Sequence, residues 1–280
     1  MKHQEGVFKG VRDNSIFYQY WLPDGEPKAI LLVVHGLAEH CGRYMNLVNY
    51  FVPAGFAVFG LDHIGHGKSA GERVYVESFE DYTQTLKEYL AMIHEWQPAK
   101  QVFLFGHSMG GLIAAAYLLE NQDEFSGVVL SGPSIKVPAN ISKATIMIAN
   151  LLSILIPKAG LVKLEADGIS SDPEVVEAYI NDNLVYSGKT TARLGAELIK
   201  TMKNVTAEAA KISLPLMVVQ GSADILVDPS GAQLIYDLVS SEDKTIKIYE
   251  GFFHEVFNEP KHELVLNDIG TWLEKHLGTE

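Results

Sequence analysis

Six short runs along the chain are apolar at nearly every position: residues 29–36 (AILLVVHG), 57–62 (AVFGLD), 101–108 (QVFLFGHS), 127–132 (GVVLSG), 214–221 (LPLMVVQG) and 245–251 (TIKIYEG). Most end at or beside glycine. Continuous apolar runs of this length predict strands buried on both faces, as in a parallel sheet. Ahead of them, VFKGV and SIFYQYWL flank Arg12-Asp13-Asn14, a pattern that predicts a β-hairpin. Helical spacing fills the intervals. Ser78 and Asp81 fit a capping box ahead of Tyr82, Leu86, Leu90 and Ile93. Further helices are predicted after Gly110-Gly111, over 229–239 and over 263–277. Strands alternating with helices give an α/β fold with a mostly parallel sheet.

One interval breaks this rhythm. Between Gly132 and Leu214 the spacing is helical throughout, with no buried strand; Ser171-Asp172-Pro173 marks a helix start, and Leu194, Leu198 and Met202 line one helix face. The expected organisation is a core from residues 1–132 and 214–280, with a helical cap of residues 133–213 inserted over the carboxyl edge of the sheet. Within the cap, IMIANLLSILI (146–156) has two readings: a helix packed on the core, or an exposed apolar lid that touches lipid.

Composition narrows the function classes. With 22 Lys and Arg against 35 Asp and Glu, the net charge is −13. That balance speaks against nucleic-acid binding, which needs cationic phosphate contacts, and against electrostatic docking on anionic lipid. Cys41 is the single cysteine, so no intrachain disulfide forms. MKHQEGVFKG lacks the apolar stretch of a secretory signal, and no run reaches the length of a membrane span. The expected location is cytoplasmic, with any membrane contact transient, apolar and made through the cap.

Gly106-His107-Ser108-Met109-Gly110 matches G-x-S-x-G. The motif is short, but its setting is specific: an apolar strand leads into it and the helical run GLIAAAYLLE leads out. Such an elbow holds a serine at a sharp turn with its hydroxyl exposed. Serine is a weak nucleophile and needs a base oriented by a third group. In elbow-type hydrolases the acid and then the histidine follow in the chain. His254 comes directly after the run at 245–251, and Asp224 directly after the run at 214–221, both at strand carboxyl ends. His262 and His276 fall in or beside the last helix, while Asp228, Asp237 and Asp243 read as surface or capping carboxylates. Ser108, Asp224 and His254 are therefore the expected catalytic triad. The oxyanion hole draws one backbone N–H from the residue after the nucleophile, Met109, and one from the loop after an earlier strand, Leu37.

Five blocks in order, HGLAEHCGRY (35–44), LDHIGHGKSAGER (61–73), GHSMGG (106–111), QGSADILVD (220–228) and KIYEGFFHE (247–255), resemble the monoacylglycerol lipase and lysophospholipase-like branch of the α/β-hydrolases. The resemblance spans most of the chain, SSDPEVVEAYINDNLVYSGKTTARL included. It implies a helical cap with an apolar acyl channel above the serine and a narrower polar pocket for glycerol. It carries the same triad and oxyanion donors. It also places Glu39 and Arg43 near the polar end of the site and matches Tyr179 to a cap tyrosine. Glu39 and Arg43 read equally well as a buried ion pair or as ligand contacts. Phe257 departs from the histidine that some members carry just after the catalytic one.

Other motifs fall away. Gly67-Lys68-Ser69 resembles the end of a phosphate loop, but Asp62 occupies the leading glycine position and would repel phosphate. His35, His40, Asp62, His63 and His66 lack any zinc spacing and read as hydrogen-bonding groups. The expected reaction is hydrolysis of a small lipid ester, foremost a monoacylglycerol, with no cofactor or metal. A general carboxylesterase or lysophospholipase is the alternative within the same chemistry; a non-catalytic ligand-binding protein is the alternative outside it.

Overall fold

The computed structural model describes residues 1–98, 100–137 and 142–278, apart from the side chain of Lys143. In chain order the first half carries β1 (Lys2–Lys9), β2 (Ser15–Leu22), β3 (Ile30–Val34), α1 (Met45–Phe51), β4 (Ala57–Leu61), α2 (Glu80–Trp96), β5 (Val102–His107), α3 (Met109–Asn121) and β6 (Gly127–Ser131). The second half carries α4 (Lys143–Leu155), β7 (Gly160–Lys163), α5 (Pro173–Asn181), β8 (Lys189–Thr191), α6 (Ala192–Glu208), β9 (Leu216–Gly221), α7 (Ser230–Leu238), β10 (Lys244–Tyr249) and α8 (His262–Lys275).

Eight strands form one sheet in the order β1-β2-β4-β3-β5-β6-β9-β10. The hairpin β1–β2 and the β2–β4 pair are antiparallel; every pair from β4 to β10 is parallel. The apolar runs are the reason. In β3, all five side chains are shielded from water, Leu31 and Val33 toward one face and Ile30, Leu32 and Val34 toward the other. Full burial of such a side chain contributes roughly 1.5–3 kcal/mol, which only a strand covered by helices on both sides collects. The first face packs on Leu47, Val48 and Phe51 of α1 and on Val265, Ile269 and Leu273 of α8. The second packs on Leu86, Leu90 and Ile93 of α2 and on Leu112 and Ile113 of α3. β10, at the sheet edge, keeps Ile248 half exposed.

The hairpin turn holds Arg12 and Asp13 at φ +56° and +59°. The capping box at Ser78 is only half formed. Phe79 occupies the N-cap without a side-chain bond, while Asp81 Oδ2 accepts from the Ser78 N–H at 3.4 Å and from Arg12 Nε at 2.9 Å. At the α5 start, Asp172 accepts from the Glu174 N–H at 2.9 Å and Pro173 sits in the first turn, as predicted.

The expectation of an all-helical interval between Gly132 and Leu214 needs correction. β7 and β8 pair antiparallel as a separate two-stranded ribbon. Their side chains are largely exposed, so neither strand leaves a buried apolar run in the sequence. The whole interval is tied to the core by the Tyr186 N–H to Ala38 O (2.8 Å), Thr191 Oγ1 to Val74 O (2.7 Å) and the Glu255 N–H to Ile169 O (2.7 Å). No helix among the described residues is long and apolar enough to cross a membrane.

Candidate active site

β5 ends at His107, and Ser108 follows at φ +54°, ψ −118°, as the N-cap of α3. A non-glycine residue with positive φ is strained and persists only where its surroundings fix it. Here the Ser108 N–H donates to Ser131 O at 2.9 Å, and Ser108 O accepts from the N–H groups of Leu112 and Ser134. The flanking glycines let α3 come down on the sheet. A Cβ at Gly106 would lie 2.6 Å from Gly110 O, and one at Gly110 would overlap Val34 O.

Asp224 follows β9, and His254 follows β10, each just past its strand end. The structure brings them together: His254 Nδ1 lies 2.7 Å from Asp224 Oδ2. The same oxygen accepts from Gln220 Nε2 at 2.9 Å, and Asp224 Oδ1 accepts from the N–H groups of Leu226 and Val227 at 2.9 and 3.0 Å. With four donors aimed at it, the carboxylate is held ionised. Burial pushes the Asp224 pKa up, but His254 and these donors outweigh that and hold it below the ordinary range. For His254, burial favours the neutral ring, yet the Asp224 charge, helped by Glu255 and Glu39, raises its pKa above the ordinary value. Since Nδ1 donates to Asp224, Nε2 is left as the basic nitrogen.

Ser108 and His254 line one small cavity of about 10 Å³ together with Leu37, Glu39, Leu164 and Tyr179. Met109 opens α3, where the first backbone N–H has no helical acceptor. Neither the Leu37 nor the Met109 N–H donates to a partner among the described residues. Leu37 also lines a second, apolar cavity of about 420 Å³ bounded by Ile146, Leu152, Leu161, Leu198 and Met202. Leu164 and Tyr179 also line a third of about 230 Å³, where Lys163, Glu165, Asp167 and Ser187 bring polar groups.

Glu39 and Arg43 form an ion pair, and the pair has a third member. Arg43 Nη1 meets Glu39 Oε2 at 2.9 Å, and its two terminal nitrogens grip Glu255 at 2.5 and 2.9 Å. The guanidinium stacks 4.5 Å from the centre of the Tyr179 ring. Glu39 Oε1 accepts from the Gly36 N–H and the Tyr44 hydroxyl at 2.6 and 2.7 Å. Burial raises the Glu39 pKa beyond what Arg43 offsets; for Glu255, Arg43 overrides burial and lowers it.

Three contributors escaped sequence reasoning. Gln220 had a signal, a polar side chain ending an otherwise apolar strand. His107 lay inside the motif: its ring packs 4.6 Å from that of His254, and burial keeps it neutral, with a pKa of about 3. Glu255 stands next to His254, but its partner Arg43 is too distant in sequence to suggest the pair. The alternatives lie elsewhere. Asp228 accepts from the Ser230 N–H ahead of α7 and pairs with Lys136, and Asp243 pairs with His276 at 3.0 Å. Asp62 ties the loop of the phosphate-like motif, accepting from the N–H groups of Cys41 and Lys68. Among the described residues no group of three or more His, Cys, Asp or Glu is arranged to hold a metal ion.

The model of the serine aminopeptidase S33 family matches residues 25–261. The chain belongs to this family of α/β-hydrolases. A monoacylglycerol lipase of Mycolicibacterium smegmatis is 38% identical over 273 residues, covering 98% of both chains. The monoglyceride lipase of Rattus norvegicus is 35% identical, covering 92% of this chain and 86% of its own. Among solved structures, the monoacylglycerol lipase of Paleococcus ferrophilus aligns with a TM-score of 0.82 at 30% identity, covering 99% of this chain and all of that one.

Proposed function

We propose that this α/β-hydrolase cleaves the carboxylic ester of monoacylglycerols to a fatty acid and glycerol through an acyl-enzyme. The observation that carries the reading is the position of Ser108 in a cavity that shares Leu37 with an apolar chamber and Tyr179 with a more polar one. The apolar chamber is in the size range of ligand sites and suits an acyl chain. The smaller one suits glycerol. Similarity to monoacylglycerol lipases over nearly the whole chain supports the same substrate class.

His254 Nε2 takes the Ser108 hydroxyl proton as Oγ attacks the ester carbonyl. The oxyanion accepts from the Leu37 and Met109 N–H groups, each such donor being worth about 3–4 kcal/mol in the transition state. Collapse expels the glycerol oxygen, which takes its proton from His254. Water then attacks the acyl-enzyme with His254 again as base, releasing the fatty acid and restoring Ser108. Asp224 holds the imidazole and stabilises its cation. Glu39, Arg43 and Glu255 satisfy one another, so they shape the polar end of the site, with Tyr179 as its wall.

Residues 133–213 serve as the cap over a core of 1–132 and 214–280. The cavity at Ser108 holds about one water, so Leu164 and Tyr179 must withdraw before substrate enters. Away from the apolar chamber the cap exposes Met147, Leu151, Ile154 and Leu155, an apolar surface fit for a neutral lipid interface. With the net charge at −13, that contact is apolar rather than electrostatic.

The test is a side-by-side panel of mono-, di- and triacylglycerols, a lysophospholipid and short-chain esters, with Ser108→Ala as control. The highest kcat/KM is expected on monoacylglycerol, and Ser108→Ala should lose about 10⁴-fold or more in kcat. A strong preference for triacylglycerol or lysophospholipid would overturn the substrate assignment. Undiminished activity of Ser108→Ala would overturn the mechanism.

A further inference from the structure

His35 ends the chain segment leaving β3, and its ring is fully buried against that of His63, with centroids 4.1 Å apart. Neither ring touches the cavity at Ser108. Their hydrogen bonds nonetheless converge on the loop that carries Leu37. The His63 main-chain N–H donates to His35 Nε2 at 2.9 Å. A ring nitrogen that accepts from an amide has no proton of its own, so the His35 proton is on Nδ1. That Nδ1 lies 2.8 Å from Gly36 O and donates to it.

Gly36 O and the Leu37 N–H belong to the same planar, trans peptide, and they point in opposite directions. A donor that holds the oxygen inward turns the N–H outward. The preceding peptide is fixed independently, because the Gly36 N–H donates to Glu39 Oε1 at 2.6 Å. His63 closes the arrangement: its Nε2 lies 3.2 Å from His35 O, and its Nδ1 has no partner among the described residues.

We propose that His35 is a positioning residue of the oxyanion hole: with its tautomer set by the His63 amide, its Nδ1–H holds the Gly36–Leu37 peptide with the Leu37 N–H turned toward the oxyanion. The inference rests on the reading of Leu37 as an oxyanion donor. Burial keeps both rings neutral, His35 well below its ordinary pKa and His63 at about 3, which preserves the acceptor at His35 Nε2. Preorganised donors act because they need no reorientation as charge develops; a peptide free to rock would forfeit that in the transition state while leaving ester binding intact.

The test compares the whole enzyme with His35→Phe, which fills the volume without a donor, and with His35→Asn, whose amide nitrogen takes the place of Nδ1. His35→Phe should lower kcat roughly 10- to 100-fold with KM within about twofold, and weaken inhibition by an alkyl trifluoromethyl ketone by the same factor. His35→Asn should recover most of both. In amide NMR, the ketone adduct should shift the Leu37 and Met109 protons downfield in the wild type, and in His35→Phe the Leu37 shift alone should be lost. If Leu37 does not respond in the wild type, the oxyanion-donor reading fails and this inference with it. If Leu37 responds equally in both proteins and kcat is retained, only the role of His35 fails. Should His35→Phe not fold, ring ¹⁵N shifts of the wild type decide: a proton on Nδ1 alone is expected, and a proton on Nε2 overturns the proposal.

Discussion

α3 and α4 are both 13 residues long and both apolar around much of their circumference, yet they face different media. Nine residues of α3 are buried, from Met109 through Leu118. α4 turns Ile146 and Leu152 to the apolar cavity and leaves Met147, Leu151 and Ile154 in water. Apolar content alone therefore does not tell a core helix from a helix waiting for lipid. The glycines do. Gly106, Gly110 and Gly111 let α3 approach the sheet backbone, whereas α4 has no glycine and packs on α6 rather than directly against the sheet backbone. One helix is built to hold an atom still, the other to offer a surface.

The sharpest blow to the fixed side of this contrast is Asp224→Asn. Losing the carboxylate that orients His254 should cost about 10⁴-fold in kcat, measured on a soluble ester. The base must be neutral, so kcat/KM should rise with pH through the His254 pKa, above 6.5 in the wild type. In the variant the raising charge is gone and burial remains, so the midpoint should move to lower pH. A profile left unchanged would remove His254 as the titrating base.

Gly110→Ala comes next. Its Cβ would overlap Val34 O at the carboxyl end of the central strand β3, which cannot rotate away, so destabilisation of about 3 kcal/mol is expected in denaturant unfolding. A smaller effect of opposite sign to activity would show that α3 can shift without moving Ser108. Third, His63, His66 and His107 are buried with pKa values of about 3, 4 and 3, against an ordinary 6.5. Below pH 6.5 the unfolded chain takes protons that the native state refuses, so stability should fall on acidification from about 6.5 toward 4. Each group contributes about 1.4 kcal/mol per pH unit across that window. His254 works oppositely: its contribution is full below 6.5 and is lost as pH rises through its folded value. Substituting His66→Asn, which keeps a donor for Ile64 O, should flatten the acid slope by one such step.

The smallest expected effect tests the surface side. Ile154 is 72% exposed, so Ile154→Asp should change unfolding free energy by no more than about 0.5 kcal/mol. Its binding to zwitterionic vesicles in a sedimentation assay should nevertheless drop. Equal binding by both proteins would mean that the exposed face of α4 is not where lipid is met.

The parts legible in the sequence are those where a single strong requirement acts locally. β3, β5, β6 and β9 announce themselves because burial on both faces permits no polar alternation. Of the candidate site, Ser108 and Asp224 are legible because each follows such a strand, β5 and β9, while His254 is legible only from its place in the loop after the part-exposed edge strand β10. β7 and β8 were missed because exposed strands that pair only with each other need no apolar run. Arg43 with Glu255 was half read: Glu39, four residues away, was the visible partner, while the stronger grip came from the other end of the chain. The start of α2 was misjudged because Asp81 serves Arg12 of the hairpin as well as Ser78, a tertiary claim on a local cap.

β6 and β9 lie side by side in the sheet, yet the entire interval carrying α4, α5 and α6 separates them in the chain. Closing that large a loop carries an entropic cost that must be met before the β6–β9 pairing returns any contact. Ser108 is placed by strands on the early side of the closure, Asp224 and His254 by strands on the late side. Recovery of catalysis during refolding should thus lag the burial of tryptophan in the N-terminal hairpin, and the delay times the joining of the two halves of the sheet.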